Sequence, residues 1–327
     1  MGQGSMRKAL VIGINEYSGK NKLSGCVNDA NAMAESLKTN GDLSHNFDVK
    51  LLLDNDATRK NIMNALYDLY KNNDDVSLLY FSGHGYDDKD DGALISIDMQ
   101  KILFKEIVDC IDNANTKNNI IILDCCFSGK LANDTCIGDK TVLSENTVIL
   151  TACRPNEPAK ESKTTKHGIF TNLLLSALQG GSSDLLGRIS PASIYAYIDQ
   201  ALSSWEQRPF FKANVSSFVS LRNVKPKLTI EELKKGMSYF ENAESQYQLD
   251  PSYEFTNYRG NKEHKAIKPY AKEKNIKILQ LLQKFNRNGL VLPVDEEFMY
   301  DAAMKSKKIH LTELGKHYWR LIDLGRI

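Results

Sequence analysis

The chain has 327 residues, 42% of them hydrophobic and 25% charged, and this composition is typical of a globular protein of two domains. Its 42 basic and 41 acidic residues almost cancel, so neither a nucleic acid nor an anionic membrane is expected as the main partner. No apolar run approaches the roughly 18 residues of a membrane span, no signal peptide is expected, and the six cysteines favour reduced thiols in the cytoplasm.

Strand and helix patterns alternate over the first two-thirds of the chain. Continuous apolar runs predict buried strands, and apolar residues at helical spacing predict the helices between them. In chain order these are a strand at 8–14, a helix at 28–37, a strand at 49–53, a helix capped by Thr58, strands at 75–81, 119–123 and 147–152, helices at 168–178 and 193–202, and an edge strand at 217–221. This order predicts an α/β domain over residues 6–224, with a mostly parallel six-stranded sheet and helices on both faces.

The pattern changes after residue 225. Helices are predicted at 230–246, 275–285, 295–306 and 312–322, with a polar loop at 253–265 and a short strand at 308–311. We expect residues 226–327 to form a small, mainly helical, winged-helix-like domain. Its lysines are scattered and form no stripe along a recognition helix, so a protein partner is favoured over a nucleic acid.

Two short segments stand directly after the third and fourth strands of this series, residues 82–85 (SGHG) and 124–129 (DCCFSG). In a parallel sheet, functional sites form at the carboxyl ends of the strands. A cysteine attacks a peptide carbonyl as the thiolate, and histidine is the side chain whose pKa suits the accompanying base. If the two strands are neighbours, Cys126 is the nucleophile and His84 the general base. The backbone N–H groups of Gly85 and Cys126 then form the oxyanion hole.

Each of these residues also has an ordinary structural interpretation. A histidine between glycines is often a turn residue, and a cysteine at the end of a strand is more often part of the core. The combination favours catalysis, because the histidine precedes the cysteine in about the order and spacing found in caspases.

These segments resemble the peptidase family of caspases, metacaspases and their bacterial relatives. Residues 80–85 (YFSGHG) are similar to the family's histidine motif. Residues 124–129 are similar to the metacaspase motif whose second central residue is the nucleophile, which selects Cys126 over Cys125. Further similar segments lie at residues 10–15, 24–30, 151–161, 168–171 and 207–209. The resemblance covers about residues 7–222 and implies a caspase-like fold and a cysteine endopeptidase activity.

The resemblance also bears on substrate preference. Asp29 and Asp124 stand at positions that line the S1 pocket of metacaspases, and two carboxylates there favour arginine or lysine at P1. Ser82 is expected to add a polar wall to this pocket. For Asp29 a second interpretation weighs equally, because an aspartate in the first turn of a helix is stabilised by the helix dipole.

Two departures from the family concern metal binding and activation. Many metacaspases require calcium, yet residues 104–107 (FKEI) stand where a run of aspartates would be expected, so no cofactor and no metal are expected. The alternative calcium ligands would be Asp87, Asp88, Asp90 and Asp91. Five lysines in predicted loops are candidate sites for cleavage between the large and small parts: Lys130, Lys140, Lys160, Lys163 and Lys166.

The sequence bears on three possible functions. The leading hypothesis is a regulated endopeptidase, an effector in a bacterial stress or antiviral defence pathway, whose substrates are proteins or peptides with arginine or lysine at P1. The second is a catalytically silent scaffold that uses the same fold for protein binding. A nucleotide-binding protein is disfavoured, because residues 13–16 (GINE) lack the glycines and lysine of a phosphate-binding loop.

Overall fold

A computed structural model of the chain describes residues 6–87, 92–114, 116–127, 143–152, 168–202, 209–261 and 266–327. The chain divides into two compact units, one ending at Lys225 and the other running from Pro226 to Ile327. Within the described ranges, no helix is long and apolar enough to cross a membrane.

The described part of the first unit contains ten strands. They are β1 (Arg7–Gly13), β2 (Asp48–Leu53), β3 (Val76–Asp87), β4 (Gly92–Ile95), β5 (Lys101–Leu103), β6 (Asn119–Phe127), β7 (Thr147–Thr151), β8 (Arg188–Ile189), β9 (Phe210–Asn214) and β10 (Arg222–Asn223). Six of them form the main sheet in the order β2-β1-β3-β6-β7-β9. The first five of these are parallel, and β9 is antiparallel to β7. The mostly parallel sheet is thereby confirmed, but with β4 and β5 it has eight strands in the described residues and not the six predicted.

The sheet differs from the prediction in two additional short strands and in its edge strand. β4 pairs antiparallel with β3, and β5 pairs antiparallel with β4; neither strand was predicted from the sequence. The edge strand predicted at 217–221 is wrong, because the edge of the sheet is β9. Residues 217–221 run instead towards β8, where the backbone N–H of Leu221 donates to the carbonyl of Ile189 at 2.7 Å.

Helices cover both faces of the sheet, as a buried parallel sheet requires. Side chains along β1 alternate between two apolar clusters, with Leu10 and Ile12 in one and Ala9 and Val11 in the other. Two helices pack on the first cluster, α2 (Arg59–Tyr70) and α3 (Phe104–Asp112), and three on the second, α1 (Cys26–Lys38), α4 (Ile169–Ser176) and α5 (Pro191–Leu202). Thr58 caps α2 as predicted, accepting from the backbone N–H of Asn61. The sequence analysis missed α3.

The described part of the second unit contains four α-helices and a three-stranded antiparallel sheet. The helices are α6 (Ile230–Met237), α7 (Glu273–Arg287), α8 (Met299–Met304) and α9 (Glu313–Asp323), and the strands are β11 (Gln246–Gln248), β12 (Val291–Pro293) and β13 (Lys308–Leu311). The sheet order is β11-β13-β12. The helix predicted at 230–246 is wrong beyond Met237. The Asn242 side chain accepts there from the backbone N–H of Glu244, a local bond that competes with the helix. The winged-helix likeness stays a prediction.

Candidate active site

His84 and Cys126 lie inside paired strands and not in loops after the strands, which corrects the sequence analysis. β3 continues past Phe81 because it has ladder partners there. Gly85 is in register with Leu94 of β4 and with Phe127 of β6, and β4 alone pairs with β3 from there to Asp87. β3 and β6 are parallel neighbours, and the α-carbons of His84 and Cys126 are register partners. Neighbouring strands lie about 4.8 Å apart, so the two residues stand side by side.

The imidazole of His84 is held by a backbone carbonyl. Its Nε2 atom lies 2.7 Å from the carbonyl oxygen of Asn21, in the loop between β1 and α1. A carbonyl oxygen only accepts, so Nε2 carries the proton and donates it. The neutral ring then keeps Nδ1 as its proton acceptor, the state that a general base needs. Asn21 was not predicted from the sequence, because its contribution comes from the main chain and not from its side chain.

Tyr17 is a second neighbour of His84 that the sequence analysis missed. It is fully buried, and its ring centroid lies 4.5 Å from that of the imidazole. Its hydroxyl accepts from the backbone N–H of His84 at 3.0 Å. Burial raises the pKa of this hydroxyl, which therefore stays protonated. Tyr17 follows β1, at the same carboxyl edge of the sheet, and this position is the signal that could have identified it.

Cys125 is a core residue. It is 2% exposed and packs in the same apolar cluster as Leu123 and Ile121. A thiol enclosed in this way is not accessible to a peptide, and the side chain of Cys126 lies outside the described atoms. The burial of Cys125 agrees with the selection of Cys126 as the candidate nucleophile.

Asp29 and Asp124 point towards one spot near Gly168. A Cβ atom built on Gly168 would lie 3.1 Å from Oδ2 of Asp124 and 3.6 Å from Oδ2 of Asp29. The backbone N–H of Gly168 donates to Asp29 at 3.4 Å. Asp29 also lies in the first turn of α1, so a role as a pocket carboxylate is compatible with stabilisation by the helix dipole. Ser82 is buried and in register with Asp124, which places the three predicted pocket residues together.

A chain of hydroxyl groups reaches Asp124 from the protein interior. Thr171 donates to Oδ2 of Asp124 at 2.6 Å, and the Tyr80 hydroxyl lies 2.7 Å from the Thr171 oxygen. Because the single proton of Thr171 goes to the carboxylate, Tyr80 donates to Thr171. Burial and then the charge of Asp29 raise the pKa of Asp124 to about 7, while the bond from Thr171 lowers it. The roles of Thr171 and Tyr80 were not predicted from the sequence.

Gly85, the predicted oxyanion donor, lies within the ladder between β4 and β6 and not in an open loop. The structure places it next to His84 and in register with Phe127, one residue beyond Cys126. Its part in an oxyanion hole stays a prediction.

The segment at residues 104–107 does not fit a calcium site. Phe104 and Ile107 lie on the buried face of α3 and pack in the core. The carboxylate of Glu106 accepts from the backbone N–H of Leu103 at 2.9 Å and pairs with Arg59 at 2.5 Å. Through these contacts the Glu106 carboxylate caps its own helix and pairs with an arginine. The alternative ligands Asp88, Asp90 and Asp91, the side chain of Asp87 and the five candidate processing lysines lie outside the described residues.

Comparison with known proteins places these features in a family. A model of the caspase domain matches residues 6–225. Metacaspase-6 of Arabidopsis thaliana is 36% identical over 146 residues, covering 39% of this chain and 39% of the plant protein. Metacaspase-7 of the same plant is 30% identical over 192 residues, covering 51% and 45%. The chain thus spans less than half the length of these curated relatives.

Two solved structures are similar in fold. A protein of Geobacter sulfurreducens superposes with a TM-score of 0.52 at 19% identity, covering 67% of this chain and 98% of that protein. Caspase-1 from Spodoptera frugiperda superposes with a TM-score of 0.50 at 12% identity, covering 67% and 91%. Both confirm the caspase-like fold.

Proposed function

Because the chain belongs to the caspase-domain family of cysteine peptidases, we propose that it is an endopeptidase that cleaves proteins after arginine or lysine. Cys126 is the nucleophile of this proposal and His84 its general base. The observation that carries it is the register of β3 and β6, which puts the two α-carbons opposite each other on neighbouring strands. A reducing, cytoplasmic compartment suits this reaction, since the nucleophile must stay a thiol.

The proposed reaction uses the tautomer that Asn21 imposes. With Nε2–H donating to the Asn21 carbonyl, Nδ1 of His84 takes the proton of the Cys126 thiol. The thiolate attacks the scissile carbonyl carbon, and the N–H groups of Gly85 and Cys126 stabilise the negative oxygen. His84 returns its proton to the leaving amine, and water then hydrolyses the thioester.

The preference for a basic P1 residue is supported by the two buried carboxylates. Asp29 and Asp124 are 2% and 9% exposed and reach the same spot beside Gly168. A guanidinium or ammonium group placed there would form charge-assisted hydrogen bonds with both and would relieve their mutual repulsion. Ser82 would add a polar wall.

The decisive experiment is cleavage of fluorogenic peptides that end in arginine, lysine or aspartate. We expect the wild type to cleave the first two, and His84→Ala and Cys126→Ala to lose activity by at least a hundredfold. Cys125→Ala is the matched control, because it removes the adjacent thiol from the core and should keep the activity. Preference for P1 aspartate would overturn the proposed specificity. A wild type that is alkylated at Cys126 yet cleaves no peptide would favour the catalytically silent scaffold.

No metal takes part in this proposal, so a calcium chelator should leave the rate of peptide cleavage unchanged.

The second unit is proposed to bind a protein partner and not a nucleic acid. Cations on and beside its helices are paired with carboxylates, including Lys316 and Arg320 of α9 with Glu244 and Lys305 with Glu296. Large apolar side chains are exposed there, among them Phe255 (64%) and Phe298 (58%). A regulated role in a bacterial stress or defence pathway is proposed by analogy with the bacterial relatives of the family.

A further inference from the structure

We infer that Tyr17 is a positioning residue for His84, and this inference rests on the proposed role of His84 as the base. Tyr17 is 0% exposed, and its ring lies against the imidazole with centroids 4.5 Å apart and planes tilted by 52°. The imidazole therefore has an aromatic neighbour fixed in the core, which restricts the rotation of its ring.

The Tyr17 hydroxyl joins two strands at the position of the base. It donates to the carbonyl oxygen of Ile95 in β4 at 2.9 Å, because a carbonyl can only accept. Its oxygen accepts from the backbone N–H of His84 in β3 at 3.0 Å. Without this hydroxyl, the Ile95 carbonyl and the His84 N–H would each lose this hydrogen bond, next to the base.

Tyr17 lies in the loop that presents the acceptor for His84, and the start of this loop is fixed by hydrogen bonds. The side chain of Asp54 accepts from the backbone N–H groups of Asn15 at 2.7 Å and Glu16 at 3.0 Å, just before Tyr17. The backbone N–H of Tyr17 itself donates to the Asn15 carbonyl at 3.0 Å. Asn21, four residues beyond Tyr17, accepts from Nε2 of His84. The anchored tyrosine thus holds the ring of the base, and the carbonyl that sets its tautomer lies further along the same loop.

Gly83 provides the space that this arrangement needs. A Cβ atom built on Gly83 would lie 2.5 Å from the Tyr17 hydroxyl oxygen and 2.9 Å from the Phe81 ring. Gly83 is not among the glycines with positive φ, so conformational freedom is not what requires a glycine here. The glycine before the base is required because the tyrosine hydroxyl approaches the strand so closely.

Tyr70 offers a matched comparison for the experiment. It is 2% exposed, and its hydroxyl has no hydrogen-bond partner among the described residues. Changing either tyrosine to phenylalanine removes one buried oxygen and keeps the ring. Only Tyr17→Phe removes contacts to His84 and Ile95.

The test compares Tyr17→Phe and Tyr70→Phe in the full chain, using a peptide with arginine at P1. We expect Tyr17→Phe to lower kcat about tenfold, a part of the 10²–10⁴-fold that a general base supplies, with KM within about twofold of the wild type. Tyr70→Phe should keep both constants. A wild-type kcat in Tyr17→Phe would overturn the inference and leave the proposed function standing.

A second measurement tests the inference without measuring peptide cleavage. The ¹⁵N chemical shifts of the His84 ring, assigned by their absence in His84→Gln, report which nitrogen carries the proton. We expect a protonated Nε2 and an unprotonated Nδ1 in the wild type and in Tyr70→Phe, and averaged shifts from two tautomers in Tyr17→Phe. Identical shifts in all three proteins would overturn the positioning role, even if the wild type cleaved no peptide.

Discussion

Asp124 is buried beside a second carboxylate, and this arrangement makes the folded protein sensitive to pH. Burial, and then the charge of Asp29, raise its pKa to about 7. An aspartate in an unfolded chain has a pKa of about 3.9. The folded state therefore holds the proton more tightly. The stability that this proton contributes is fully present below about pH 3.9 and is lost as the pH rises through about 7.

Replacing Asp124 by asparagine should therefore stabilise the protein at alkaline pH. We expect Asp124→Asn to raise the free energy of unfolding by about 2 kcal/mol at pH 8 and by much less at pH 4, because the wild type is itself largely neutral there. Urea denaturation at both values measures this difference. Asp68→Asn on the exposed side of α2 is the control and should change the free energy by under about 0.5 kcal/mol. Destabilisation of Asp124→Asn at pH 8 would contradict the account.

The same titration should govern recognition of a basic P1 residue. With a pKa of about 7, roughly a tenth of the Asp124 side chains are ionised at pH 6. We expect KM for a peptide with arginine at P1 to be several-fold higher at pH 6 than at pH 8. Asp124→Asn should have a high KM at both values. Steady-state kinetics over this range checks the prediction, and a KM that stayed constant in the wild type would refute the assigned role of Asp124.

Some site residues could be found in the sequence and others could not, for a definite reason. His84, Cys126 and Asp124 stand in short motifs after apolar runs, so local pattern is enough to single them out. Thr171 reaches Asp124 across 47 residues, and Tyr17 reaches His84 across 67. Strand order and helix docking bring these partners together. The position of Tyr17 after β1 indicates the correct edge of the sheet, but no local pattern shows that Tyr17 contacts His84 or that Thr171 contacts Asp124.

β1 and α1 pack unusually close to each other, and this contact positions Asp29. A Cβ atom built on Gly13, at the end of β1, would lie 2.5 Å from the carbonyl oxygen of Cys26 and 2.6 Å from Cβ of Ala30. Both neighbours belong to the first turns of α1, the helix that carries Asp29. A larger residue at position 13 must therefore push this helix away from the sheet.

Gly13→Ala should impair both stability and P1 recognition. We expect a loss of about 1–3 kcal/mol in the free energy of unfolding, the usual range for overpacking, and a raised KM for a P1 arginine peptide. Thermal denaturation and steady-state kinetics measure the two effects. Gly260→Ala is the control, because its added methyl group meets open space. It introduces only the backbone strain of a residue with a positive φ of 87° and should leave KM unchanged. Equal KM values in the wild type and Gly13→Ala would contradict this link.

The secondary structure was predictable where an element is defined by its own side chains. Five strands of the main sheet follow continuous apolar runs, and α2 and α9 begin at threonine caps that the sequence displays. The extension of β3 past Phe81 was missed, because Ser82-Gly83-His84-Gly85 is typical of a turn. It becomes strand only because β6 and β4 supply ladder partners. The three-residue strand β11 was missed for the same reason.

The division at Lys225 leads to a prediction about truncation. Every candidate site residue, from Tyr17 to Thr171, belongs to the first unit. We expect a chain that ends at Lys225 to keep the wild-type kcat and KM on a short peptide, and to lose recruitment of the proposed protein partner. Peptide kinetics, with circular dichroism to establish that the shortened chain is folded, checks the first part. A folded truncated chain without activity would show that residues 226–327 contribute to catalysis.

The pairing of β6 with β7 has a consequence for a chain whose backbone is broken between them. Five consecutive register pairs, from Asn119 with Thr147 to Leu123 with Thr151, join residues on opposite sides of such a break. The bond from the Thr171 hydroxyl to Asp124 is a further connection between the two fragments, as is the bond from the backbone N–H of Gly168 to Asp29. Fragments produced by a cut at this place would separate under denaturing conditions but would stay together as one native particle, with both carboxylates of the pocket still in position.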